Sequence, residues 1–246
     1  METSKNLARM CDLLIEGRDR LKWSGSFRVR DGLYPELFKK MKAAGCVQLN
    51  LGIESGSEKV RKDMRKTFPK DRMDKVIRWM GEAGLQLNVM MIVGYPTETE
   101  EDFLESIRFV ARNKPFIERV NWGDTCRVTK GTDLFNIDKH GITFIKGSQS
   151  IHWVCGGNIL EVRLLRIIRA IEWSQENGIN CGDRHFDFIN NELVTIQEDS
   201  HGAIDVLSQY LQKKNTFPER SIKAEGTNPL NSSAFIGNRQ PLIATK

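Results

Sequence analysis

The chain has 246 residues, of which 39% are hydrophobic and 28% charged, and it carries a net charge of +5. This length is enough for one domain with a substantial core, and we predict one domain followed by a tail. No run approaches the ~20 consecutive apolar residues of a membrane-spanning helix, and the first residues lack the pattern of a signal peptide. We therefore expect no membrane span, and residues 4–19 are predicted to form an amphipathic helix instead.

Cysteine spacing and charge distribution narrow the function classes. The five cysteines are widely separated, with no CxxC or CxxxC pair: Cys11, Cys46, Cys126, Cys155 and Cys181. This pattern predicts reduced thiols in a cytoplasmic protein rather than a disulfide framework. The basic residues lie in amphipathic segments without interleaved aromatic residues, which favours a solvated helix face over nucleic-acid binding.

A strand, a helix and a further strand are predicted after the first helix. Residues 21–31, LKWSGSFRVRD, alternate apolar and polar side chains, which predicts a strand whose polar face carries Arg28 and Arg30. The segment LYPELFKKMKAAG follows as a helix, since Pro35 is tolerated in a first turn and Gly45 suits the position after the last turn.

The most informative pattern is the alternation in CVQLNLGIE and LQLNVMMIVG, because side chains switch faces at every residue of a strand. One face of these two segments is apolar: Val47, Leu49, Leu51, Ile53, Leu87, Val89, Met91 and Val93. The other face is mostly polar: Gln48, Asn50, Gly52, Glu54, Gln86, Asn88, Met90, Ile92 and Gly94. Two such strands separated by a helix predict neighbouring parallel strands of a barrel with a polar lumen.

Helices and strands continue to alternate up to about residue 128. A helix over about 57–83 with a break near Pro69 precedes the second alternating strand, and a helix over about 100–113 follows it. Thr99 and Asp102 have the spacing of a capping box for the latter helix, and ERVNWGDTCRV is predicted as the next strand. The fold class is therefore α/β, a partial parallel βα barrel with about four strands.

The pattern changes beyond residue 129, which sets the predicted boundaries. A loop-rich stretch leads to a helix that ends near Gly178, with an apolar stripe through Val162, Leu165, Ile168 and Ile171. A shorter helix is predicted around 203–214. We place the barrel core at 1–135, a loop-rich and helical C-terminal extension at 136–212 and a flexible tail at 213–246.

Polar residues at the carboxyl ends of these strands are the candidate binding residues, because loops and helix amino termini meet there. Glu54 is followed by Ser55, Gly56 and Ser57, so a carboxylate beside small residues could accept hydrogen bonds from hydroxyl or amino groups of a ligand. Arg28 could hold a ligand carboxylate; an internal ion pair between Arg28 and Glu54 is the alternative. The segment YPTET is read as a tight strand-to-helix turn in preference to a phosphate cradle, since it lacks the glycines and lysine of a P-loop.

Taken in order, WSGSFRVR, MKAAGCVQLNLGIESGSEKVRKDMRK, AGLQLNVMMIVGYPTETEEDF and the later GTDL resemble the core of radical S-adenosylmethionine (radical SAM) enzymes. Within that superfamily they are most similar to proteins associated with a B12-binding domain. The resemblance covers about residues 4–135. It implies a partial six-unit βα barrel that binds S-adenosylmethionine and a [4Fe-4S] cluster and generates a 5′-deoxyadenosyl radical.

The resemblance also implies roles for particular residues. Gly52, Glu54 and Ser55 would lie at the cofactor, with Glu54 contacting its ribose or amino-acid part, and Arg28 would hold its carboxylate. Two further positions would face the lumen, Asn50 and Asn88, and Ile92 would pack against the adenine. Met90 stands where some members have glycine, so that the adenine contact could differ.

One expected motif is missing from the sequence. The cluster of these enzymes is held by a CxxxCxxC loop, and none of the five cysteines has the spacing to replace it. The match therefore predicts the C-terminal portion of a radical SAM enzyme, truncated and inactive by itself, with possible use of cobalamin through an upstream domain. Two alternatives stay open: a non-catalytic remnant that binds a nucleoside-like ligand or a partner, and one half of a split enzyme complemented by an N-terminal segment or chain. The sequence does not indicate the substrate.

Overall fold

The computed structural model describes residues 4–17, 21–66, 68–123, 125–145 and 150–181. The predicted helix at 203–214 and the predicted tail at 213–246 lie outside these ranges. No helix in the described ranges has the length and apolar character needed to cross a membrane.

Four strands form one parallel sheet in the order β1-β2-β3-β4, and helices alternate with them. The strands are β1 (Trp23–Phe27), β2 (Cys46–Glu54), β3 (Gln86–Met91) and β4 (Arg119–Asn121). The helices up to β4 are α1 (Ser4–Glu16), α2 (Pro35–Ala43), α3 (Glu58–Asp63), α4 (Lys70–Glu82) and α5 (Glu100–Asn113). The predicted α/β class and the four parallel strands are confirmed, and the sheet is open in the described residues rather than closed into a barrel.

A second, smaller group of elements follows β4. It contains α6 (Ile137–His140), a two-stranded antiparallel sheet of β5 (Thr143–Phe144) and β6 (Trp153–Val154), and α7 (Leu160–Glu176). Helix α7 packs into the same hydrophobic core as the four-stranded sheet, through Leu164, Ile167 and Ile171. The extension is therefore continuous with the barrel core through this helix.

The two faces of the sheet differ as the alternation predicts. Leu49, Leu51 and Ile53 are at most 1% exposed, whereas Asn50 and Gly52 are half-buried on the opposite face. Strand β3 repeats this pattern, and its Asn88 pairs in register with Asn50. One face is thus the core under the helices, and the other is an open polar surface.

Several predicted boundaries shift. Strand β1 ends at Phe27, so Arg28 and Arg30 lie beyond it rather than on its polar face. The break predicted near Pro69 is confirmed, since the segment forms two helices, α3 and α4, and Pro69 takes an extended conformation at the start of α4. The buried face of α7 centres on Leu164 and Ile167, while Val162 and Ile168 are only half-buried, since two arginines in this helix are buried as well.

Candidate functional site

A β-bulge at the end of β2 sets the direction of Glu54. The pairing with β3 passes from Gly52 opposite Met90 to Glu54 opposite Met91, so Ile53 is the extra residue. Glu54 has a φ of 70°, a left-handed conformation that is unfavourable for a residue with a side chain. Bulges and strained residues of this kind are concentrated beside binding sites, where they direct a side chain.

Glu54 forms an ion pair with Lys66, which the sequence analysis did not select. The Lys66 Nζ donates to Glu54 Oε1 over 2.7 Å, and both side chains are largely buried, at 22% and 19% exposed. Gly52 leaves room for this pair, because a Cβ at that position would lie 2.7 Å from Glu54 Oε1 and 3.5 Å from Lys66 Nζ. The bulge, the glycine and the lysine therefore form one arrangement around the Glu54 carboxylate.

This ion pair lies on the wall of a cleft at the carboxyl ends of the strands, with a volume of about 670 Å³. Apolar side chains form part of the wall, among them Met64, Ile92 and Leu134, and charged residues stand beside them. Arg65 and Asp133, both cleft residues, form an exposed ion pair of 3.2 Å. A cleft of this size, with both apolar and charged residues on its wall, suits a small organic ligand that has a charged end.

The predicted lumen residues lie on the same face of the sheet. Asn88 Nδ2 donates to Asn50 Oδ1 over 3.0 Å, which links β2 and β3 across the polar surface. Ile92 lines the cleft together with Glu54, and its backbone N–H donates to the Glu54 carbonyl oxygen over 2.8 Å. The structure therefore brings Glu54, Ile92 and the two asparagines to one side of the sheet.

Two predicted contacts lie elsewhere. Arg28 is exposed, lies outside the cleft wall, and does not pair with Glu54, whose partner is Lys66. The ion pair between Arg28 and Glu54, given as an alternative from the sequence, is thus wrong. Ser55 is fully buried and lies within hydrogen-bond distance of Ser106 in α5, 3.3 Å between the two hydroxyl oxygens, so its side chain joins β2 to α5 and is absent from the cleft wall.

The segments GIESGS and YPTET are joined through Asp102. Its carboxylate accepts from the Ser57 hydroxyl over 2.6 Å, from the Thr99 N–H over 2.9 Å and from Lys59 over 3.0 Å. The predicted capping box of α5 is confirmed, with both reciprocal hydrogen bonds present. Burial acts to raise the pKa of Asp102, but these hydrogen bonds outweigh it and hold the pKa at about 2.

The backbone of YPTET uses its own donors internally. The Glu98 N–H donates to the Tyr95 carbonyl oxygen over 2.8 Å, and the Gly94 N–H donates to the Glu98 carboxylate over 2.7 Å. With the Thr99 N–H bound to Asp102, these amides are not directed at a ligand. The arrangement favours the tight turn over the phosphate cradle.

Helix α7 holds this turn through two buried arginines that sequence reasoning missed. Arg163 stacks over Trp153, 3.8 Å from the ring centre, and donates to backbone carbonyl groups that include that of Asn158. Arg166 pairs with the buried Glu98 carboxylate over 3.2 Å. Arginines in an amphipathic helix are normally predicted to be exposed. The one sequence signal for Arg163 and Arg166 is their spacing at i and i+3, which places them on the same face of α7.

The described cysteines do not fit an iron–sulfur cluster. Four of them are buried, with Cys155 half-buried, and the described ranges contain no group of three or more histidine, cysteine or acidic residues that could hold a metal. Burial raises the pKa of Cys46 to about 11 and that of Cys126 to about 12, so both side chains are protonated thiols in the interior. In the described residues, therefore, the cysteines are not gathered into a group of the kind that holds a [4Fe-4S] cluster.

Comparison with known proteins relates this fold to a family. Residues 12–110 match the sequence profile described as the Radical SAM superfamily. A tRNA-2-methylthio-N(6)-dimethylallyladenosine synthase of Desulfosudis oleivorans is 31% identical over 117 residues, which are 44% of this chain and 25% of that enzyme. The enzyme of the same name from Rhodococcus jostii is 41% identical over 69 residues, 26% of this chain and 13% of the relative.

Solved structures show the same fold at low identity. The radical S-adenosylmethionine methyltransferase TsrM of Kitasatospora setae, with cobalamin and a [4Fe-4S] cluster bound, matches with a TM-score of 0.50 and 15% identity, over 59% of this chain and 31% of that one. The cobalamin-dependent S-adenosylmethionine radical enzyme OxsB matches with a TM-score of 0.52 and 12% identity, over 86% of this chain and 40% of that one. The chain spans a quarter or less of the two relatives compared by sequence. Residues 12–110 therefore carry a match to the Radical SAM superfamily, and the fold is similar to that of the radical SAM enzymes TsrM and OxsB.

Proposed function

We propose that the cleft binds S-adenosylmethionine for 5′-deoxyadenosyl-radical chemistry. The observation that carries the proposal is the ion pair of Glu54 and Lys66, which places a carboxylate and an ammonium group 2.7 Å apart on the cleft wall. The amino-acid part of S-adenosylmethionine is a zwitterion, so it can exchange partners with this pair. Its ammonium group would meet Glu54, and its carboxylate would meet Lys66.

In this proposal Lys66 takes the role that the sequence analysis gave to Arg28. Gly52 keeps the space that the pair occupies, and Ile92 offers an apolar surface for the adenine. Asn50 and Asn88 would border the ligand on the polar face of β2 and β3. In the superfamily the bound cofactor, together with a [4Fe-4S] cluster, supplies the 5′-deoxyadenosyl radical.

Calorimetric titration of the full chain with S-adenosylmethionine tests the proposal. Glu54→Gln and Lys66→Met should each weaken binding by about tenfold or more, because each leaves one charge of the ligand unpaired. The ion pair of Glu58 and Lys62 in α3 is a matched control, since both side chains are about 60% exposed. Glu58→Gln and Lys62→Met should bind as the wild type does; unchanged affinity in Glu54→Gln would remove Glu54 from the site.

We also propose that this chain does not assemble the cluster from its own residues. The support is the lack of a CxxxCxxC motif in the sequence and the burial of the cysteines. Anaerobic reconstitution with iron and sulfide should give no four-iron cluster and no cleavage of S-adenosylmethionine. A four-iron absorption band with cleavage activity would refute this part of the proposal. The free cysteines also support the cytoplasmic placement predicted from the sequence.

A second candidate function is that of one half of a split enzyme. Within the described residues β1 pairs only with β2, so its other edge presents unpaired backbone groups. Leu13 and Leu21, in α1 and just before β1, are about 60% exposed. A complementing chain that supplies the iron ligands should restore cleavage of S-adenosylmethionine when mixed with this one.

A further inference from the structure

Thr125 is a cleft residue whose hydroxyl group has no hydrogen-bond partner. The residue lines the cleft and is 2% exposed. Among the described residues, its Oγ1 is one of a small number of buried side-chain polar atoms without a partner. Leaving a buried hydroxyl unpaired costs stability, so an unpaired one beside a binding cleft points to a ligand that completes it.

The backbone of Thr125 and of the following residue, Cys126, is held in place. Thr125 forms a parallel bridge with Val93 at the end of β3, and the Cys126 N–H donates to the Val93 carbonyl oxygen over 3.0 Å. The indole N–H of the buried Trp153 donates to the Cys126 carbonyl oxygen over 3.0 Å. Rotation about χ1 is therefore the main freedom left to the Thr125 hydroxyl.

The neighbours of Thr125 indicate which part of a ligand it would meet. Its bridge partner Val93 directly follows Ile92, the residue proposed to pack against the adenine, and Met90 and Cys126 also line this part of the cleft. Tyr95 and Thr132 also line the cleft, but their hydroxyl groups donate to backbone carbonyl oxygens over 3.3 Å and 2.7 Å. The Thr125 hydroxyl, which has no partner among the described residues, can instead fix the orientation of a flat ring. A threonine hydroxyl both donates and accepts, and the rim of a heteroaromatic base offers both kinds of group.

We propose that the Thr125 hydroxyl hydrogen-bonds the heteroaromatic base of a nucleoside ligand in the cleft. The inference rests on the proposed function and extends it, because Glu54 and Lys66 account for the amino-acid end of the ligand and Thr125 accounts for the base.

Binding of two ligands to three variants distinguishes the contact with the base from the contacts with the amino-acid part of the ligand. S-adenosylmethionine and 5′-methylthioadenosine share the base and ribose, but only the former has the amino-acid part. Thr125→Val keeps the shape of the side chain without its hydroxyl, and Thr125→Ser keeps the hydroxyl. Thr125→Val should weaken both ligands about tenfold, Thr125→Ser should bind both nearly as the wild type does, and Lys66→Met should weaken S-adenosylmethionine alone.

The stability of the ligand-free chain is a second measurement, and Thr125→Val should not lower it although it lowers the affinity for ligand. Removing an unpaired buried hydroxyl should leave the urea midpoint of Thr125→Val unchanged or raise it. A lower midpoint would show that the hydroxyl is satisfied inside the fold and would overturn the inference, as would wild-type affinity of Thr125→Val for both ligands. If the wild type bound S-adenosylmethionine while Thr125→Val made no difference, only this inference would fall; if the wild type bound neither ligand, the proposed function would fall with it.

Discussion

Replacing Asp102 by asparagine should destabilise the chain in a pH-dependent way. Asp102 is the common acceptor for Ser57, Thr99 and Lys59, and its side chain is 12% exposed. Asparagine keeps one acceptor oxygen but replaces the other with an amino group, which cannot accept from the Thr99 N–H. The substitution therefore breaks the link between GIESGS and YPTET without creating a cavity.

The magnitude follows from the pKa of Asp102, which is lowered from 3.8 to about 2. Each pKa unit corresponds to about 1.4 kcal/mol, so the charged form contributes roughly 2.5 kcal/mol to the free energy of unfolding. Loss of an N-terminal cap alone typically costs somewhat less, about 0.5–2 kcal/mol. We expect Asp102→Asn to lower the free energy of unfolding by about 2–3 kcal/mol near pH 7.

The pH dependence has a fixed sign. Because the folded-state pKa is lowered, the contribution of Asp102 is fully present above its unfolded pKa of 3.8 and is lost as the pH falls towards about 2. Urea unfolding of both chains between pH 7 and pH 2.5 measures this difference, which should shrink on acidification. Asp71→Asn is the control, since Asp71 is 69% exposed and should change stability by less than about 0.5 kcal/mol. Equal stability of Asp102→Asn and wild type at pH 7, or a difference that persists at low pH, would refute the reasoning.

Two further substitutions test the turn that α7 covers. Gly94→Ala places a Cβ 2.2 Å from Arg163 Cδ at a φ of +81°, so it should lower the free energy of urea unfolding by more than about 2 kcal/mol. Gly131→Ala is the control, because it has a similar φ of +88° but open space around the Cβ, and it should lower that free energy by only about 1–2 kcal/mol. Equal losses in the two variants would count against a close contact between Gly94 and Arg163. Burial raises the pKa of Glu98 to about 7 against the opposing effect of Arg166, so the folded chain keeps a proton that the unfolded chain loses near pH 4.5. The free energy of unfolding of the wild type should therefore fall as the pH rises from about 4.5 to 7, and Glu98→Gln should not show this fall. Parallel pH profiles of stability for the two chains would exclude a raised pKa of Glu98.

Local patterns in the sequence determined much of the architecture. The alternation along β2 and β3 predicts which face is buried, because strand geometry assigns side chains to faces without knowledge of the partners. The capping box of Thr99 and Asp102 is equally local, since the residues are three positions apart. The order of the motifs carried the resemblance to the radical SAM superfamily, and that resemblance selected Glu54 and Ile92, which both line the cleft.

Only the tertiary structure decided the partners of the charged residues. Lys66 replaces Arg28 beside Glu54 because β1 ends at Phe27, and because the bulge and the left-handed conformation of Glu54 direct its carboxylate across the cleft wall. The chain spacing of twelve residues gives no indication of that contact.

The partners of the buried polar residues also could not be predicted from the sequence. Ser55 is buried against α5, and Arg163 and Arg166 in α7 are buried against loops that are distant in sequence. Their polarity predicts exposure, and only partners supplied by other elements offset the cost of burying them. The sequence by itself therefore determined the buried faces, the helix cap and the resemblance to the radical SAM superfamily, since these depend on residues that are close along the chain. The composition of the cleft depends on contacts between distant segments, which only the folded chain specifies.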